Sequence, residues 1–427
     1  MNSSTLTRPT TSSLASVTDT ECRLCGKHLK HIAVDLGLSP LCENIVSQTD
    51  LNRGETFYPL RTFVCDDCWL IQVPEFVSGE EIYSHYAYFS SNSDSWLKHA
   101  EDYCEMITSR LSLDENSQVI EIASNDGYLL QKFKARGIPC LGIEPAANVA
   151  QVAMDKGIDC VVQFFGVDTA AGVVDRGHTA DLLVANNVIG HVPDLNDFVA
   201  GMKVLLAPRG TITIEIPHAL HLIEQNQFDT IYQEHYSYFL LTAMRALMAR
   251  HGLTVFEVQE IATHGGSLRY FVRHDDDDSR AIEPIVEQIQ AIEAERGLTD
   301  LATYTEFAER VKETKWKLLE FLISCQRDGK HVVGYGAPGK AATLLNYCGV
   351  REDLLSYTVD RNVMKQGTYL VGTNIPIYSP EMIRETKPDY VLILPWNLQE
   401  EICQQLEYTR DWGAQLVIPI PEVKVVS

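Results

Sequence analysis

The chain has 427 residues, a length that at about 150 residues per domain predicts two to three domains. Its 58 acidic residues against 35 lysines and arginines give a formal charge of −23, which excludes a generic binder of phosphate backbones. No apolar run approaches the roughly 18–20 residues that cross a bilayer, so neither a nucleic acid nor a membrane is an expected partner.

Residues 1–20 hold eleven serines and threonines, no apolar stretch and one arginine, Arg8. That composition predicts a disordered tail rather than a secretory signal. Eleven cysteines, an odd number in a long chain, predict a reducing, cytoplasmic setting with thiols or metal ligands rather than a disulfide framework.

Residues 21–78 form the first expected domain. It holds two knuckles, Cys22-Arg-Leu-Cys25 and Cys65-Asp-Asp-Cys68, with strand-like runs such as Tyr58-Pro-Leu-Arg-Thr-Phe-Val64. A CxxC turn aims two thiolates at one ion, and two such turns complete a closed tetrahedral S4 site, so a structural Zn2+ is expected. Cys42, between the knuckles, reads as a spare buried thiol.

From residue 79 to about 280 strands and helices alternate, which predicts a parallel sheet with crossover helices. Val119-Ile-Glu-Ile-Ala-Ser-Asn-Asp-Gly127 is an apolar strand running into a turn of small and polar residues, followed by a helix start. Such a turn accommodates a nucleoside or a carboxylate, and lacking GxGxxG it is not built for a dinucleotide. Cys140-Leu-Gly-Ile-Glu144 is a second strand ending in an acid placed for both hydroxyls of a ribose. Asp181-Leu-Leu-Val-Ala-Asn-Asn187 is a third, with a polar loop after it. Three such strands at these spacings describe a class I S-adenosylmethionine methyltransferase, and the expected cofactor residues are Glu121, Ala123, Asn125, Asp126, Gly127, Glu144 and Asn186.

Ile231-Tyr-Gln-Glu-His-Tyr-Ser-Tyr-Phe239 is the densest chemical cluster. A histidine among tyrosines suits proton abstraction beside a carbonyl. An aromatic stripe with a surface histidine fits the segment equally well.

Asp275–Asp278 reads as a solvated acidic boundary. Ile282, Ile285, Ile289 and Ile292 then mark a helix by their spacing. A second strand–helix alternation starts at His331-Val-Val-Gly-Tyr-Gly336. Its GxGxxG, at Gly334, Gly336 and Gly339, offers backbone amides at a helix start, where Lys340 can help to hold a pyrophosphate and Arg361 and Lys365 add charge.

Taken together, the two CxxC knuckles, Tyr86-Ala-Tyr-Phe-Ser-Ser91, Glu121-Ile-Ala-Ser-Asn-Asp-Gly127, Tyr232-Gln-Glu-His235, Gly265-Gly-Ser-Leu-Arg269 and Gly334-Tyr-Gly-Ala-Pro-Gly-Lys340 occur in an order that resembles one family. It is that of the three-domain, zinc-containing sugar C-methyltransferases acting on C3 of TDP-4-keto-deoxysugars. The resemblance implies an α/β protein with a small zinc-binding N-terminal domain (21–78), a Rossmann-like S-adenosylmethionine domain (79–280) and a C-terminal Rossmann-like domain preceded by a helical segment (281–427). It also implies that His235 removes the C3 proton, that Glu234, Tyr232 and His191 accompany it, and that Tyr86, with Tyr88 as the alternative, joins them. The implied partner is a nucleotide-sugar. The other acceptor to weigh is a non-sugar metabolite methylated at O or C on the same scaffold. The sequence departs from the pattern at Ala123, where a glycine is usual, at His218, where an aromatic is expected, and in the last domain at Gly339, Ala341, Ala342, Val363 and Val371.

Overall fold

The structure, a computed structural model, describes residues 20–42, 44–83 and 89–426. The tail expected over 1–20 lies almost wholly outside these residues, as do Tyr86 and Tyr88.

Four strands belong to the N-terminal region: β1 (His31–Ser39), β2 (Ile45–Val46), β3 (Tyr58–Val64) and β4 (Ile71–Gln72). The central region supplies β5 (Val119–Ile122), β6 (Cys140–Ile143), β7 (Asp159–Val161), β8 (Ala180–Asn186), β9 (Leu206–Pro217), β10 (Ser237–Tyr238), β11 (Leu253–Ile261) and β12 (Ser267–His274). The C-terminal region adds β13 (Val332–Tyr335), β14 (Thr358–Val359), β15 (Tyr369–Leu370), β16 (Ile377–Tyr378), β17 (Tyr390–Ile393), β18 (Gln415–Ile418) and β19 (Lys424–Val426).

The central sheet has seven strands in the order β11-β12-β9-β8-β5-β6-β7. β9, β8, β5, β6 and β7 run parallel, and β12 and β11 are added antiparallel. All four residues of β5 are buried, as expected for a strand covered by helices on both faces. The chain moves outward one way through β6 and β7 and then the other way through β8 and β9. That reversal opens a crevice at the carboxyl ends of β5 and β8, where open α/β sheets bind ligands.

The C-terminal sheet, β16-β14-β13-β17-β18-β19, is parallel except at β19. The N-terminal sheet, β1-β3-β4-β10, is completed by a strand of the central region, and β2 pairs with β15 of the C-terminal region. The three regions are therefore knitted together by backbone hydrogen bonds.

The helical segment after residue 281 is present, with a different buried stripe. In the helix Pro284–Glu295 the inward residues are Val286, Ile289 and Glu293, while Ile282 and Ile292 are exposed. Polar Glu293 takes a core position because its carboxylate accepts hydrogen bonds from Thr242 N at 3.0 Å, Thr242 Oγ1 at 2.6 Å and His218 Nε2 at 2.7 Å. The helix Leu301–Arg327 buries Tyr304, Phe307, Val311, Leu318 and Leu322 at the i, i+3, i+4 spacing, in a core shared with Val34 and Leu36 of β1. The acidic run is not wholly solvated: Asp277 is buried and ion-paired with Arg280 at 3.0 Å.

Candidate active site and zinc centre

Each cysteine knuckle folds back on itself. Gly26 N donates to Cys22 O at 2.8 Å and Trp69 N to Cys65 O at 3.1 Å, with Gly26 and Trp69 in the left-handed region at φ 77° and 60°. The turns bring all four sulphurs within 4.8 Å of one another, with Cys22–Cys68 at 3.5 Å and Cys25–Cys65 at 3.6 Å. A tetrahedron built on Zn–S bonds of ~2.3 Å has edges of about 3.8 Å, so the donor set fits a zinc ion with no position left for water. Gln72 Nε2 donates to Cys22 Sγ at 3.2 Å, the kind of outer contact that steadies a thiolate ligand.

A cavity of about 710 Å³ occupies the crevice at the carboxyl ends of β5, β6 and β8 and runs on to the His235 segment. Its walls include Ala123, Asn125, Glu144 and Asn186 at one end and His191, Tyr232, His235 and Lys340 at the other. The turn after β5 is strained, with Ala123, Asn125 and Gly127 all at positive φ (55°, 49° and 74°). Glu144 pins this turn, its carboxylate accepting from Asn125 N at 3.0 Å and Ala146 N at 2.9 Å. Burial pushes the Glu144 carboxyl up, and those two amides oppose the shift.

Three of the expected cofactor residues lie behind the wall. Gly127 packs so tightly that a Cβ there would meet Ile158 at 2.5 Å. Asp126 turns to Lys156 at 3.3 Å, and Glu121 is buried in the sheet opposite Gly142. The residues present fit a nucleoside cofactor. Asn186 Oδ1 is buried without a hydrogen-bond partner, and Glu144 follows β6 beside the space.

At the other end, the turn Phe228–Thr230 leads into the Tyr232–His235 segment. His235 Nδ1 lies 3.0 Å from the backbone oxygen of Thr230. A carbonyl only accepts, so Nδ1 bears the hydrogen and Nε2 keeps its lone pair. Burial, reinforced by His191, holds the His235 pKa well below the usual histidine range. The ring of Tyr232 lies 4.0 Å away and that of His191 4.6 Å away. Glu234, adjacent in sequence, also lines the cavity, and its Oε1 accepts from Cys42 Sγ at 3.6 Å. The Thr230 carbonyl is what orients the His235 ring. Cys42, expected as a spare thiol, ties the N-terminal region to the Glu234 carboxylate.

The C-terminal glycine turn is organised by Asp360, whose Oδ2 accepts from Ala337 N at 2.7 Å, and by Lys365, which donates to Ala337 O at 2.8 Å. Arg361 points away, exposed beside Glu401 at 3.5 Å. Lys340 leaves the turn for the main cavity. Its Nζ donates to Asn397 Oδ1 at 2.7 Å and sits 4.5 Å from the centre of the Trp396 ring. The Trp396 indole donates to buried Asp229 at 2.7 Å, and burial raises the Asp229 pKa to about 6 and lowers that of Lys340.

Sequence reasoning missed Tyr83, whose hydroxyl lies 2.7 Å from His191 Nδ1. It also missed His264, a cavity residue at φ 54° beside Trp96. Arg269, within a motif that was noted, pairs with Glu215 at 2.8 Å next to His99. His264 has no local signal, because the hairpin that delivers it is recognisable only in three dimensions.

Family models match the chain in order: a "Putative zinc binding domain" over residues 22–83, a "Methyltransferase domain" over 96–258 and a "C-methyltransferase C-terminal domain" over 262–421. C-methyltransferase NovU of Streptomyces niveus is 35% identical over 407 residues, spanning 95% of this chain and 97% of that protein. Among solved structures, the glycopeptide N-methyltransferase MtfA complexed with S-adenosyl-L-methionine aligns at 12% identity and a TM-score of 0.33, over 41% of this chain and 94% of its own. An S-adenosylmethionine-dependent methyltransferase from Clostridium acetobutylicum aligns at 9% identity and a TM-score of 0.34, over 43% and 93%.

Proposed function

We propose a reaction from one premise: this chain belongs to the C-methyltransferase family, to which its full-length relative and its domain matches assign it. It is an S-adenosylmethionine-dependent methyltransferase with a four-cysteine zinc site. The acceptor we propose is a nucleotide-linked, TDP-type 4-keto-deoxysugar, methylated at C3.

When bound, S-adenosylmethionine supplies an electrophilic methyl group. Glu144 would meet its ribose hydroxyls and Asn186 would offer its amide oxygen. At the far end of the cavity His235 Nε2 takes the proton from the carbon next to the ketone, leaving an enolate carbon that would accept the cofactor's methyl group, with S-adenosylhomocysteine as the leaving group. The Tyr232 hydroxyl donates toward the enolate oxygen as charge builds there. Lys340 meets the anionic diphosphate, the one strongly charged part of such an acceptor. A cytoplasmic setting, which keeps the eleven thiols reduced, suits this chemistry. The domain limits we propose are 21–78, 79–280 and 281–427, with Tyr86 as a further contact to the sugar.

One observation carries this reading. The Thr230 carbonyl holds His235 in the tautomer that leaves Nε2 bare at the cavity wall. Calorimetric titration with S-adenosylhomocysteine and then TDP tests the acceptor. Binding of both is expected, and binding of the cofactor product alone moves the acceptor to a non-sugar metabolite.

A further inference from the structure

Tyr83 lies on the helix Gly79–Tyr83, and its hydroxyl lies 2.7 Å from His191 Nδ1 and 3.3 Å from the backbone oxygen of Glu234. A carbonyl oxygen only accepts, so in its contact with Glu234 the phenol is the donor. The phenol has a single proton to give, and Glu234 O takes it, leaving the phenol oxygen to accept from Nδ1–H. His191 stays neutral in this arrangement, since burial pulls its pKa down to about 4. The opposite edge of the ring, with a bare Nε2, belongs to a side chain that forms the cavity wall beside His235.

We propose that Tyr83 is a positioning residue that fixes His191 as a hydrogen-bond acceptor, so that the methyl acceptor presents a hydroxyl or amine hydrogen to it beside the carbon that His235 deprotonates. The proposal rests on reading this cavity as the site of the methyl acceptor. Its consequence is specificity. A ketone oxygen placed against His191 Nε2 would set lone pair against lone pair, so the carbonyl that gathers charge lies on the Tyr232 side. An acceptor lacking the donor group leaves a desolvated nitrogen unpaired, the mismatch by which polar sites reject analogues. His191 thereby becomes a determinant of which way round the acceptor binds.

Long-range 1H–15N spectra of the zinc-loaded, full-length protein labelled in its histidines read the tautomer directly, with His191→Asn identifying the resonances by their loss. The expected spectrum has hydrogen on His191 Nδ1 and a bare Nε2. In Tyr83→Phe that preference should give way to a tautomer mixture and kcat should fall about ten-fold, the weight of one hydrogen bond. Affinity for S-adenosylhomocysteine should stay within about two-fold, since the loss is confined to the acceptor end. An Nε2–H tautomer in the unaltered protein overturns the proposal, and so does an unchanged Nδ1–H tautomer in folded Tyr83→Phe. Should Tyr83→Phe fail to fold, the spectrum of the unaltered protein decides alone. Failure of the base assignment would show separately, as retained exchange at the acceptor carbon in His235→Asn.

Discussion

Proton abstraction from a carbon beside a ketone needs a base that is unprotonated at working pH and fixed in one orientation. His235 meets both needs through its surroundings. The Thr230 carbonyl fixes the ring, and burial together with His191 holds its pKa well below the ordinary 6.5. The base form is the one present above the pKa, so lowering the pKa extends it toward acid. Proton abstraction should therefore run at a constant rate from about pH 8 down to 6.5, and an inflection at the ordinary histidine pKa would contradict the assigned environment. The segment that carries the proposed base was legible in the sequence, because Glu234 and His235 stand among tyrosines in one short run. Its partners were not. A backbone oxygen five residues upstream has no side-chain signature, and the neighbouring His191 meets Tyr83 from 108 positions away.

Two elements carry the ligands, and each acts through its turn geometry. The knuckles hold four thiols at metal-binding separation. Metal binding free energy is folding free energy in such a site, so Cys65→Ser should lose zinc and solubility together. Metal analysis should give about one zinc per chain in the unaltered protein, and full metal content in a chain lacking both Cys22 and Cys25 would contradict the S4 site. The turn after β5 depends on Glu144, which pins two of its amides as well as facing the cavity. Glu144→Ala should weaken S-adenosylmethionine binding, measured calorimetrically, by about 1.5–3 kcal/mol for one charge-assisted hydrogen bond. Spacing alone located both elements. It could not tell that strand alternation and packing put Glu121, Asp126 and Gly127 behind the wall, since that depends on which neighbours each residue meets across the sheet.

On the scale of the whole molecule, the cavity is assembled by segments that are distant in the chain. The β2–β15 pairing and the Cys42–Glu234 contact bring the N-terminal region to it, and Lys340, stacked over Trp396, brings the C-terminal one. Holding two reactants in line in such a cleft can supply several kcal/mol of a barrier, up to ~7–11 in ideal cases. The order of the three regions was legible because each carries its own punctuation: paired cysteines, a strand ending in an acid, a glycine-rich turn. Their joining was not legible, because strands as short as Ser237–Tyr238 and Tyr369–Leu370 carry no periodicity to read. The central claim is that His235 deprotonates the acceptor carbon independently of methyl transfer. Exchange of the C3 hydrogen of a TDP-4-keto-deoxysugar with deuterated water, followed in the presence of S-adenosylhomocysteine, tests it most directly. Wild-type protein should exchange that hydrogen, while His235→Asn should bind both ligands, lose the exchange and turn over ~10²–10⁴-fold more slowly. Exchange at the wild-type rate in His235→Asn would contradict the account.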